Sequence, residues 1–90
     1  MASYLIGYDL NKRGKDYSSL IEAIKKVGSD WWHCLDSTWI VKHDGPSTVI
    51  RDALAKFIDS DDELLVVRLT GEGAWRGFND ECSSWLTRNL

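Results

Sequence analysis

The sequence predicts an α+β domain in which two helices cover one face of an antiparallel sheet. Three observations predict it: strand-like runs at residues 3–9 and 63–69, two segments between them with apolar residues at helical spacing, and an aromatic-rich run at 31–42 separating those segments. Ninety residues with 43% hydrophobic content suffice for one core, and so for a single domain over 1–90 with 73–90 as a C-terminal extension. A chain this short leaves much of its surface uncovered, which makes a homodimer the expected assembly.

Residues 3–9 (SYLIGYD) are aromatic and branched and run into the polar stretch Asn11, Lys12, Arg13, Gly14 and Lys15, as a strand entering a loop does. Asp16 is placed to cap a helix in which Tyr17, Leu20, Ile21, Ile24 and Val27 share one face, and Gly28 is its stop signal. Residues 31–42 (WWHCLDSTWIVK) favour extended structure, but Asp36 and Ser37 interrupt them. One long bent strand is the preferred reading, and a tight hairpin is the alternative.

A turn at 43–46 precedes a second helix, capped by Ser47 or Gly45, whose apolar stripe is Ile50, Ala53, Leu54, Phe57 and Ile58. After an acidic loop at 59–62, residues 63–69 (ELLVVRL) form a strand that is apolar on both faces, with Leu65, Val67 and Leu69 on one side and Leu64 and Val66 on the other. The two helices can cover one of those faces. A short terminal helix carrying Phe78, Cys82, Trp85, Leu86 and Leu90, with Asn79 or Asp80 as cap, is expected to cover the other. This element order is that of a split βαβ arrangement, the ferredoxin-like βαββαβ topology with a short C-terminal helix, in which the first strand lies centrally. With a hairpin the middle segment supplies two strands; with one bent strand, the fourth must come from 74–78 or from a partner.

Composition excludes several classes. No apolar run approaches the roughly 20 residues needed to cross a bilayer, and the start Met1, Ala2, Ser3 leads into a strand without the basic region of a signal peptide, so a cytoplasmic protein is expected. Cys34 and Cys82 lack CxxC spacing and are expected as reduced thiols. With His33 and His43 they show no zinc-site spacing. A net charge of -3 argues against a basic nucleic-acid coat, although it leaves room for a local patch. Gly71, Glu72 and Gly73 read as a turn, since the helix entry and lysine of a phosphate-binding loop are missing.

The first strand YLIGYD, ending in Tyr8 and Asp9, the triplet Ser37, Thr38, Trp39, and the run from Ile58 through an acidic turn to Leu69 together resemble a known family. It is that of the small CRISPR-associated proteins of the Cas-two type and the related virulence-associated and SinR-like chains. The likeness extends over about residues 3–70. The SinR-like subset is similar through Tyr8, Asp9, Leu10, Asn11 and the turn Leu69, Thr70, Gly71, Glu72. The resemblance implies a ferredoxin-like fold and a homodimer packed through sheet faces or edge strands. It also implies a divalent-metal nuclease centre in which Asp9 and its counterpart in the partner hold one magnesium or manganese ion. Many members use the dimer instead as a scaffold for protein partners and duplex DNA.

Each candidate residue has a functional and a structural reading. Asp9 is either that metal ligand or a strand-end aspartate accepting N–H bonds from the next loop. Lys12, Arg13 and Lys15, the one notable basic cluster, either contact phosphate near Asp9 or form a solvated loop; Lys25 and Lys26 in the first helix match a further family tendency. Ser37 either supports the site, orienting a metal-bound water, or is a serine at a bulge beside a core tryptophan. Five tryptophans can stack nucleobases or simply pack, and alternation puts Trp31 and Trp39 on one face only if Asp36 leaves the phase intact.

Two functions follow. One is a non-catalytic or weakly catalytic homodimeric module binding nucleic acid or protein. The other is a metal-dependent endonuclease with Asp9 and Ser37 as catalytic residues, and a toxin-like ribonuclease differs from it in substrate alone. The acidic net charge, and the lack of an obvious second carboxylate beside Asp9, favour the first.

Overall fold

The computed structural model describes residues 1–11 and 16–90. Among the described residues it is an α+β structure with a four-stranded antiparallel sheet and three helices: β1 (Ala2–Asp9), α1 (Ser18–Val27), β2 (Asp30–Trp32), β3 (Thr38–His43), α2 (Ser47–Ala55), β4 (Glu63–Arg68) and α3 (Asp80–Asn89). The strand order is β2-β3-β1-β4, so β1 is interior and β2 and β4 are the edges.

Alternation along β1 divides the sheet into two faces. Tyr4 and Ile6 point to the helices and are buried with Trp39 and Val41 of β3, Leu20 and Ile24 of α1, and Ile50 and Leu54 of α2. Leu64 and Val66 of β4 pack against the same cluster. The helical spacings 20–24 and 50–54 therefore aim both helices at one face, as their apolar stripes require.

Local details differ from expectation where backbone geometry decides them. The residue capping α1 is Tyr17, which makes no side-chain cap bond. Asp16, one residue earlier, accepts the Ser18 amide at 2.9 Å. Gly28 does end the helix, and the reason is crowding: a Cβ there would lie 2.2 Å from the Lys42 carbonyl oxygen on β3. Before α2, Pro46 is the capping residue and no side chain caps, so neither Ser47 nor Gly45 has that role. The helix stops at Ala55, and Phe57 and Ile58 follow it in a turn.

The middle segment is a hairpin rather than one bent strand. Asp30, Trp31 and Trp32 pair with Lys42, Val41 and Ile40, which requires the chain to reverse through 33–37. His33 helps hold that reversal by hydrogen bonding through Nε2 to the Asp36 carbonyl at 2.9 Å. Trp31 and Trp39 do share a face, with ring centroids 5.4 Å apart.

The terminal helix has one of its two expected caps and corrects two further expectations. Asn79 caps α3 by accepting the Cys82 amide at 2.8 Å. The helix then covers Trp32 and Ile40, through Leu86, instead of the outer face of β4. Leu65 and Val67 consequently stay 57% and 39% exposed. The second correction explains the first: Cys34 and Cys82 are joined in a disulfide and are not free thiols. Their 48-residue separation hides the proximity, which arises because the hairpin connection and α3 meet over β2. Among the described residues, no helix is long and apolar enough to cross a membrane.

Candidate functional site

Asp9 is the last residue of β1, exposed, on the sheet face away from α1 and α2. Alternation places Leu5 and Gly7 on that face with it, and the register adds Thr38 and Ile40 of β3 and Leu65 and Val67 of β4. Gly7, Tyr8, Asp9, Ser37, Thr38, Glu63, Leu64 and Leu65 line one open depression of about 350 Å³. The two candidate catalytic residues, Asp9 and Ser37, are thus brought together. Their backbones are linked through the Tyr8 amide, which donates to the Ser37 carbonyl at 3.2 Å. That link fixes Ser37 beside the end of β1.

The second carboxylate that the sequence seemed to lack is Glu63, directly opposite Asp9 in the β1–β4 register. Sequence reasoning could place both at strand ends. It could not pair them, because nothing local in an antiparallel sheet states the register of strands separated by about fifty residues. Glu63 is already engaged: Asn11 Nδ2 donates to its Oε1 at 2.7 Å and to the Asp61 carbonyl at 2.6 Å. The Asn11 amide donates to Asp62 Oδ1 at 2.8 Å. Tyr17 Oη also reaches Asp62. The chain leaving β1 is therefore moored to the acidic loop 59–62 by Asn11 and Tyr17. Among the described residues, no hydrogen bond or ion pair involves the Asp9 carboxylate.

Lys12, Arg13 and Lys15 lie outside the described residues. In α1, Lys25 lies 3.8 Å from Glu22 and its ammonium sits 5.2 Å from the centre of the Trp31 ring. Both contacts are with its own neighbourhood, away from the Asp9 depression.

The donors in the depression are hard oxygens, the kind that magnesium and manganese take. Asp9 and Glu63 would be the carboxylate ligands and Ser37 a hydroxyl near them, with water filling the other positions. Bound there, such an ion would supply an activated water and charge neutralisation for a phosphodiester. Among the described residues, no three His, Cys, Asp or Glu side chains are grouped to hold a metal by themselves. A metal at Asp9 would need further ligands from a partner, from solvent or from outside the described residues.

The remaining candidates have structural partners. Cys34 and Cys82 are consumed by their disulfide. His43 donates Nδ1–H to the Val27 carbonyl at 2.8 Å, and the His33 ring stacks on Trp39 at 3.6 Å. Trp39 is fully buried and donates to Tyr8 Oη at 3.0 Å; Trp32 donates to the Cys82 carbonyl and Trp85 to Asp30. Packing accounts for those three tryptophans, which leaves Trp31 and Trp75 as the exposed ones.

What the sequence pattern understated is the apolar surface next to the depression. Leu65 and Val67 face solvent on an edge strand, and Leu5 of β1 is half-buried beside them. Beyond Leu5, towards α3, Leu35, Trp75 and Phe78 line a second hollow of about 350 Å³. A scan against protein-family models returns no match for the chain.

Proposed function

We propose that the chain is a ferredoxin-like, Cas-two-like interaction module, non-catalytic or weakly catalytic, that forms a homodimer through the open face of its sheet and as a dimer binds nucleic acid or protein. The order β2-β3-β1-β4, with α1 and α2 on one face, supports the topology. The observation that carries the function is the exposed apolar pair Leu65 and Val67 on an edge strand beside Asp9. Apolar side chains that cluster on an edge strand are a liability in a monomer and an asset at an interface. The sequence supplies the positive charge that binding a phosphate backbone needs in Lys12, Arg13 and Lys15, which follow Asp9 in the chain.

A cytoplasmic location belongs to the same reading. In that compartment a disulfide serves redox sensing more often than permanent stapling.

A second reading, the metal-dependent endonuclease, is favoured by one observation: Asp9 and Glu63 are in register and share a depression with Ser37. Paired Asp9 side chains across a two-fold axis would complete an ion site with magnesium or manganese.

Sedimentation equilibrium combined with a cleavage assay tests both readings. The module reading expects about twice the chain mass and salt-sensitive binding of nucleic acid or protein capture by the dimer, with no difference between wild type and Asp9→Asn in magnesium or manganese. Metal-dependent cleavage lost in Asp9→Asn would move the protein to the second reading. A monomer at all concentrations would remove both.

A further inference from the structure

Gly7 is a glycine that the fold itself does not require. It sits inside β1 between Leu5 and Asp9 on the outer face, where glycine weakens a strand. Three structural reasons for it are absent. β1 pairs one-for-one with both neighbours through Gly7, opposite Thr38 on β3 and Leu65 on β4, so no bulge forms there. Positive φ among the described residues is confined to Gly45, Gly71 and Gly77. A Cβ on residue 7 would lie 3.8 Å from Leu5 Cδ2, an ordinary van der Waals contact. What remains is close approach from outside the chain.

The missing side chain leaves a notch in the depression of about 350 Å³, with Thr38 on one side, Leu65 on the other and Asp9 beyond it along the strand. Among the described residues, the side chains of Asp9, Ser37 and Thr38 make no hydrogen bond or ion pair, so three groups able to accept line one opening. Glu63, held by Asn11, adds a second negative charge. Leu65 adds exposed apolar surface. An amphipathic cation matches both features, because lysine and arginine lay a methylene stem on apolar surface and carry their donors at the tip. A bare phosphate does not match, since both carboxylates repel it.

We propose that the Gly7 notch receives a lysine or arginine side chain of a basic protein partner, its stem against Leu65 and its charged head at Asp9 and Thr38. This deepens the module reading above by naming the partner's chemistry, and it rests on the protein-binding half of that reading alone. Every group named belongs to one copy, so the notch does not wait for a dimer. Leu65 also borders the face assigned to the homodimer, and binding is therefore read at concentrations where the protein is monomeric.

The test is fluorescence anisotropy of a short labelled oligolysine peptide with the full chain, alongside urea unfolding and sedimentation of the same samples. Gly7→Ala and Gly7→Val should keep or raise the urea midpoint, because residue 7 has room for a side chain and leaves the least favoured strand residue. Gly7→Val, which fills the notch, and Asp9→Asn, which removes its charge, should each weaken peptide binding about tenfold or more. Glu81→Gln, an exposed carboxylate on α3, removes the same charge elsewhere and should change binding less than about twofold. A lower midpoint in Gly7→Ala overturns the premise that the fold does not need this glycine. Wild-type binding in Gly7→Val, an equal loss in Glu81→Gln, or no peptide binding at all overturns the proposal. Manganese bound at Asp9 and shut out by Gly7→Val, with the peptide indifferent to both variants, overturns it in favour of a metal. A monomer at all concentrations that binds the peptide through the notch leaves this proposal standing while the dimer reading fails; a dimer that ignores the peptide does the reverse.

Discussion

Two leucines that look alike in sequence should respond oppositely to the same change. Leu54 is fully buried between α2 and the sheet, whereas Leu65 on β4 is 57% exposed. Leu54→Ala leaves a cavity in the main cluster and should cost about 3 kcal/mol of folding stability. For a domain of this size that lowers Tm by roughly 15 °C. Leu65→Ala should stay within about 0.5 kcal/mol at concentrations where the protein is monomeric.

Association reverses the ranking. The extra carbons of leucine over alanine are worth about 2.4 kcal/mol when fully buried, so covering the 57% still exposed contributes about 1.4 kcal/mol per copy. In the proposed homodimer a two-fold interface would count it twice, and Leu65→Ala should then weaken that dimer about a hundredfold. Urea unfolding at low concentration reads the first quantity, and sedimentation equilibrium over a concentration series reads the second. The reasoning fails if Leu65→Ala destabilises the monomer as much as Leu54→Ala does, or leaves the dissociation constant where it was.

Two further changes probe local geometry. Gly28→Ala puts a methyl 2.2 Å from the Lys42 carbonyl oxygen and 3.1 Å from its carbon, both backbone atoms of β3 that cannot swing aside. A loss of about 2 kcal/mol or more is expected, and a wild-type urea midpoint would contradict the close approach. Asp16 is held below its ordinary 3.8 by the Ser18 backbone N–H it accepts, and then by the Ser18 side chain. A lowered folded-state pKa stabilises α1 above the ordinary value and ceases to do so as pH falls through the lowered one. An NMR titration of the Asp16 carboxyl should therefore show a midpoint below 3.8, and a midpoint at or above it would refute the bond.

Patterns internal to one segment carried over well. The spacing of Leu20 and Ile24, and of Ile50 and Leu54, announced two helices with one apolar face each, and those residues are fully buried. The aromatic and branched residues of 3–9 announced a strand, and β1 forms there; which of its side chains are buried, Tyr4 and Ile6 among them, was settled by the helices that cover one face. Gly28 was legible as a stop signal, but the reason for glycine there was not, because the atom it makes room for belongs to residue 42. Asp36 and Ser37 marked an interruption in 31–42; whether the chain bulged or reversed depended on Trp32 finding Ile40 across the gap.

Asp9 was likewise legible as a strand-end carboxylate beside a polar loop, and Ser37 as a hydroxyl at a break. Their shared depression was not, nor was Glu63 as the residue opposite Asp9. Helix and strand periodicity are local, set by which side chains of one segment share a face, and the sequence by itself determined these: an α+β chain with two core-facing helices. Register, the turning of the hairpin, the Cys34–Cys82 bond and the half of the outer face that α3 leaves bare join residues far apart in the chain. Those were decided by the tertiary structure, because only the folded sheet puts distant segments within reach of each other.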